Sequence, residues 1–251
     1  MLIQPLFERL TQLRLPAFRA GLEEQLANPK YAELAFEERL ALLVDQECTR
    51  RKDRRIQRRN KAAGFPLSAS LEDLDLSAGR GLDRRFVLEL AQCEWISNHL
   101  NLIVLGPTGA RKTFLACAVA VAGCRQNFAV RYWRTSRLLN QLAQAHQSPE
   151  DAYPRLLDSL TRVDLLVLDD WMRDPITPAQ AKDLLEIIDD RYGRSSTLVV
   201  SQVPVADWYA RFPDPTIGDA IIDRIIHNAY RLNLEGDSQR KVRSPLRMST
   251  T

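Results

Sequence analysis

Five short runs rich in leucine and β-branched residues, NLIVLG, AVRYWRT, VDLLVLDD, STLVVSQ and YRLNLEG, punctuate the chain after residue 100. Amphipathic stretches lie between them. One, PAQAKDLLEIIDDRYG, sets Leu184, Leu185 and Ile188 at helical spacing. Strands alternating with helices dictate a mostly parallel sheet covered by helices on both faces. Sheets of this kind bind ligands beyond the carboxyl ends of their strands. The polar residues that close these runs fall at those ends.

The 251 residues suit one large α/β domain with a small appendage. The appendage is predicted at the N-terminus, where Leu6, Leu10, Leu13, Phe18, Leu22 and Leu26 recur near the helical period and Pro16 interrupts them. From Tyr31 to Ala63 the chain has neither proline nor glycine, which predicts one long helix whose apolar face (Leu34, Leu40, Leu43, Val44) fades toward its end. GFPLSASLEDLDLSAGRG then has the composition of a linker. The expected division is a helical region over 1–63, a linker over 64–80 and the α/β core over 81–251.

Net charge is only +3, yet Arg50 to Lys61 carries eight basic residues against one acid, a local +7 that leaves −4 for the rest. If this segment continues the helix, Arg51, Arg54, Arg55 and Arg58 share a face. With Arg50, Lys52, Arg59 and Lys61 they form a stripe suited to the phosphates of double-stranded DNA. No aromatic residue interleaves the charges, so backbone contact without base stacking is expected. The longest apolar run, Phe114 to Cys124, is about half of the ~20 residues that span a bilayer, and the N-terminus has no secretory pattern. Cys48, Cys93, Cys117 and Cys124 are scattered without a C-x-x-C, which predicts buried free thiols in a reducing cytoplasm.

After the first run comes LGPTGARKTFLA, close to the phosphate-binding pattern G-x-x-x-x-G-K-[ST]. Gly106, Pro107, Thr108, Gly109, Ala110 and Arg111 would turn the chain so that N–H groups converge on phosphate oxygens at a helix N-terminus. Lys112 would reach the β- and γ-phosphates of ATP, and the Thr113 hydroxyl would ligate Mg²⁺. VDLLVLDD ends in two carboxylates, Asp169 suited to Mg²⁺ and Asp170 to orienting or deprotonating the attacking water. STLVVSQ places Gln202 at a neighbouring strand end, against the γ-phosphate or simply as a polar terminus. In AIIDRIIHNAY, Arg224 points away from an isoleucine face, either as a surface ion-pair partner or toward a neighbouring subunit's phosphate.

These stretches, with DLLEIIDDRYGRSSTLVVSQVPVADW and DPTIGDAIIDRIIHNAYRLNLEGDSQRK, resemble the IstB-like ATP-binding proteins. Those are transposition helpers encoded beside the transposase in one group of bacterial insertion sequences, on the AAA+ branch shared with DnaC-type helicase loaders. The resemblance implies a P-loop NTPase of AAA+ type, a five-stranded parallel sheet flanked by helices and preceded by a small all-helical domain. It implies ATP and Mg²⁺ as cofactors, Asp169 and Asp170 as the magnesium and catalytic acids, and Gln202 as a sensor. Arg224 becomes a trans-acting arginine finger and Arg240 a γ-phosphate sensor. The implied partners are duplex DNA, a cognate transposase and further copies of the chain, in the bacterial cytoplasm without a membrane. A DnaC-like loader, and a decayed copy that binds DNA without turnover, are the alternatives. Two departures stand out. Arg111 replaces the family glycine before Lys112, and Met172 replaces the glycine usual after the paired acids. A Cβ before Lys112 crowds the phosphates, so the loop is expected to be a genuine but impaired nucleotide loop.

Overall fold

The computed structural model describes residues 3–74, 82–148 and 151–235. In chain order its helices are α1 (Ile3–Gln12), α2 (Pro16–Ala27), α3 (Phe36–Ala63), α4 (Arg84–Gln92), α5 (Glu94–Ser97), α6 (Lys112–Arg125), α7 (Thr135–His146), α8 (Ala152–Thr161), α9 (Pro178–Arg191) and α10 (Pro215–Ile226). The strands are β1 (Asn101–Leu105), β2 (Val130–Arg134), β3 (Leu165–Asp169), β4 (Ser196–Ser201) and β5 (Ala229–Asn233). Contacts divide the chain into two compact units, Met1–Arg58 and Arg59–Thr251.

In the first unit, α2 begins at Pro16, which has no N–H to leave unsatisfied, and the next donors are met from α3. The Ala17 and Phe18 N–H groups both donate to Glu47 Oε2, at 2.8 and 3.2 Å. Arg51 donates to Glu47 Oε1 at 2.8 Å and to the Arg14 carbonyl at 3.0 Å. Burial alone would raise the Glu47 pKa, but the bonds from Arg51, Phe18 and Ala17 outweigh it and hold the carboxyl below its ordinary value. Gly21 fits closely under α3, where an added Cβ would meet the Leu43 side chain at 2.8 Å. So narrow a seam covers Leu10 and Leu43 while leaving Leu6, Leu13, Leu26, Leu40 and Val44 exposed, although their periodicity predicts a buried face. The long helix starts at Phe36, later than the sequence suggests. The Glu38 carboxylate accepts the Ala35 N–H at 2.9 Å, and a 3-10 turn over Pro29–Glu33 precedes it.

The second unit contains the five-stranded sheet, ordered β2-β3-β4-β1-β5 and parallel throughout. Its inner strands are buried on both faces, and period-2 alternation sends their side chains into two cores. Leu102, Val104, Leu165, Val167, Leu198 and Val200 join the core that contains α6, while Ile103, Leu166, Leu168 and Val199 join that of α7, α9 and α10. All ten residues from Leu115 to Cys124 are buried, as expected of a helix apolar all round. Described residues of the linker-like segment also pack here: Ala69 is buried in the α6 core, with Phe65, Leu71 and Leu74 against it.

Side-chain caps hold the starts of α4, α9 and α10. Thr177 and Gln180 form a reciprocal capping box at α9, and Asp214 accepts the Thr216 N–H at 2.8 Å at α10. The buried Arg191 guanidinium donates to the carbonyls of Leu160, Val163 and Ser196, tying the end of α8 to the start of β4. Cys93, Cys117 and Cys124 are buried thiols, but Cys48 is exposed on α3, contrary to expectation, because it falls outside the Leu43–Glu47 seam. No helix among the described residues is long and apolar enough to cross a membrane.

Candidate nucleotide-binding site

At the carboxyl end of β1 the chain turns through Gly106, at φ +150°, where an added Cβ would meet the Leu234 carbonyl oxygen at 2.6 Å. Only glycine allows β5's continuation to pack this close, with the Leu234 N–H donating to Leu105 O at 2.8 Å. Gly109 follows at φ +88°, and Arg111 immediately before α6 at φ +61°. The arginine thus adopts the left-handed backbone that a glycine would take there, at a cost of about 1–2 kcal/mol. Its guanidinium carbon lies 4.2 Å from the centre of the Phe114 ring. The Lys112 ammonium donates to the carbonyls of Gly106 and Pro107 at 2.8 and 2.9 Å.

Strand alternation decides which acid faces this loop. Asp169 continues the Leu165, Val167 series and so lies on the α6 side of the sheet, where its Oδ2 accepts the Thr113 hydroxyl at 2.8 Å. The same oxygen accepts the Tyr132 hydroxyl at 2.6 Å, and Thr135 donates to the Asp169 carbonyl at 3.0 Å. Burial, and after it the bond to Asp169, pushes the Tyr132 phenol above its ordinary pKa, so it remains a donor. Burial, with the Asp169 charge behind it, pushes the Cys117 thiol up to about 12. That thiol stays protonated at neutral pH and is a packing group.

Asp170 leaves the strand at φ +56° and points along another path, with its carboxylate 3.5 Å from Arg173. Gln202, one residue past β4, accepts the Thr108 hydroxyl at 2.6 Å, linking the loop to the neighbouring strand end. Together Thr108, Gly109, Arg111, Lys112, Thr113, Asp169, Asp170 and Gln202 line one cavity of about 370 Å³, within the usual ligand-pocket range. Thr113 and Asp169 contribute neighbouring hard oxygens, the donor chemistry magnesium takes. These residues fit a magnesium nucleotide. A larger cavity of about 640 Å³ lies beside α4 and the C-terminal end of α6, lined by groups such as Leu71, Val87 and Arg125 and without a phosphate-binding loop.

Among the described residues named from the sequence, Arg224 lies away from this cavity. Arg224 pairs with Asp189 at 2.7 Å and donates to the Ala220 carbonyl at 2.9 Å. The Asn101 side chain, at the first position of β1, donates to the Arg224 carbonyl at 3.1 Å, so Arg224 sits at the opposite end of that strand from the loop. Arg240 lies outside the described residues. Sequence reasoning missed Tyr132, Phe114 and Arg173. The parity of AVRYWRT could have placed Tyr132 on the Asp169 face, whereas contacts between side chains within a turn leave no such pattern. On α3, Arg50, Arg51, Lys52, Arg54, Arg55, Arg58 and Lys61 are exposed, while Arg59 is half-buried.

The profile of the IstB-like ATP binding protein family matches residues 8–246. Two Sinorhizobium fredii proteins, each named for an insertion sequence and for ATP binding, are similar over almost the whole length. One is 41% identical over 250 residues, covering 100% of both chains. The other is 39% identical over 241 residues, 96% of this chain and 98% of its own. Among solved structures, the DnaC helicase loader superposes with a TM-score of 0.55 at 19% identity, over 66% of this chain and 97% of that one, a likeness of fold.

Proposed function

Because the chain belongs to the family of IstB-like ATP binding proteins, we propose that it is an ATP-dependent accessory protein of insertion-sequence transposition. In this reading it binds duplex DNA in the bacterial cytoplasm, assembles there with further copies of itself and recruits or stimulates a transposase. The observation that carries it is the convergence of Lys112, Thr113, Asp169, Asp170 and Gln202 on one cavity at the carboxyl edge of a five-stranded parallel sheet. Magnesium, held by Thr113 and Asp169, supplies charge neutralisation to the phosphates when bound. Lys112 is the cation within reach of the terminal phosphates. Asp170 accepts a proton from water or orients it, and Gln202, tied to Thr108, reads the γ-phosphate. The sequence favours transposition over helicase loading, since the likeness to DnaC is one of fold.

The chain should sediment with long duplex DNA as large assemblies when ATP and magnesium are present, and Lys112→Ala should abolish the nucleotide effect. Assembly indifferent both to ATP and to Lys112→Ala would remove ATP from the reading. Co-purification with a cognate transposase tests the remainder.

The place of Arg224, a strand's length from its own chain's cavity, supports a role toward a neighbouring copy. Made in the Arg111→Gly chain, Arg224→Ala and Lys112→Ala proteins, each inactive alone, should recover part of the ATPase activity when mixed. Mixtures that co-assemble by light scattering without recovering activity would reduce Arg224 to the partner of Asp189.

A further inference from the structure

The Arg111 backbone already has the left-handed conformation a glycine would adopt, so the loop makes no detour around the extra side chain. That backbone fixes the Cβ, but the rest of the side chain can rotate. A guanidinium turned toward the N–H groups of the loop would take volume that a phosphate must fill. In the structure it lies 4.2 Å from the centre of the Phe114 ring, on the first turn of α6. Residues three apart on a helix are neighbours, and a guanidinium is attracted to an aromatic face. Phe114 is itself anchored, its ring packing against the buried core on the α6 side of the sheet. Both side chains border the nucleotide cavity.

The geometry points to Phe114 as a positioning residue that holds the Arg111 guanidinium beside the phosphate cradle, so that ATP binding by this chain depends on the Arg111–Phe114 stack. The inference rests on the nucleotide reading above. It separates the bulk of Arg111 into a part the backbone fixes and a part the ring controls. Removing the ring should therefore matter only while the arginine is present.

Four full-length proteins test this: wild type, Phe114→Leu, Arg111→Gly and the double variant, each titrated with a fluorescent ATP analogue and magnesium. Leucine keeps an apolar side chain against the core, and circular dichroism checks the fold. Arg111→Gly should tighten binding at least about tenfold by removing the Cβ and everything beyond it. Phe114→Leu should weaken binding about fivefold with arginine at 111 and by less than about twofold with glycine there. In the wild-type chain, with or without nucleotide, the Arg111 side-chain methylene protons should show an upfield ring-current shift by NMR, absent from Phe114→Leu. Equal effects of Phe114→Leu in both backgrounds, tighter binding by that variant, or no ring-current shift in the wild type would each overturn the proposal. If none of the four proteins bound the analogue while the ring-current shift persisted, the nucleotide reading itself would fall and the dependence with it.

Discussion

Asp170→Asn, made in the Arg111→Gly chain so that binding is strong, is expected to leave ATP affinity within about twofold and to slow hydrolysis by about a hundredfold or more. The carboxylate lines the cavity without bonding to the loop, so the amide removes a proton acceptor and leaves the cradle intact. Single-turnover hydrolysis beside equilibrium binding separates the two effects. The matching change at Asp169 should behave differently. That carboxylate accepts the Thr113 and Tyr132 hydroxyls and the Asp170 N–H, so its loss disturbs both the magnesium oxygens and a buried network. Unchanged turnover in Asp170→Asn would transfer the catalytic role to another group.

Changing Arg50, Arg54, Arg55 and Arg58 together to glutamine should weaken duplex-DNA binding by at least about a hundredfold at moderate salt, and by similar factors on unrelated sequences. These four are exposed and fall within about 140° of the helix. Each phosphate contact releases condensed counterion, so the slope of log affinity against log salt should flatten by about three to four. Arg51 is left in place because its ion pair with Glu47 supports the carboxylate that caps α2. Glutamine keeps helix propensity close to that of arginine. A folded variant with the original salt slope would make the stripe a solvated face and move the DNA contacts elsewhere.

The parallel sheet was legible because it rests on periodicity and alternation. All five apolar runs are strands, and parity puts Asp169 beside Thr113. Less legible was whatever depends on how closely elements approach. Leu13 and Val44 keep helical spacing yet stay exposed, because the contact at Gly21 makes a narrow seam, and Cys48 lies outside it. Arg224 could be read from the sequence as an ion-pair partner or as a group reaching a neighbour. The chain by itself shows Asp189 in place, which supports the first without testing the second. Arg111 was legible as a missing glycine, but its left-handed backbone and its aromatic neighbour were not.

Both positions where the resemblance implies a glycine have left-handed backbones, Arg111 at φ +61° and Met172 at φ +52°. Substitution by glycine would affect them unequally. Arg111 is only half-buried, so glycine there relieves the backbone at little loss of packed surface. Met172 is 1% exposed, within the core that holds Trp171, Leu184 and Trp208. Glycine there would forfeit about 1.5–3 kcal/mol of apolar burial and leave a cavity, more than the ~1–2 kcal/mol of strain it relieves. The nucleotide loop can therefore take glycine in one step, whereas the turn after β3 cannot: neighbours packed around the methionine lock that side chain in place.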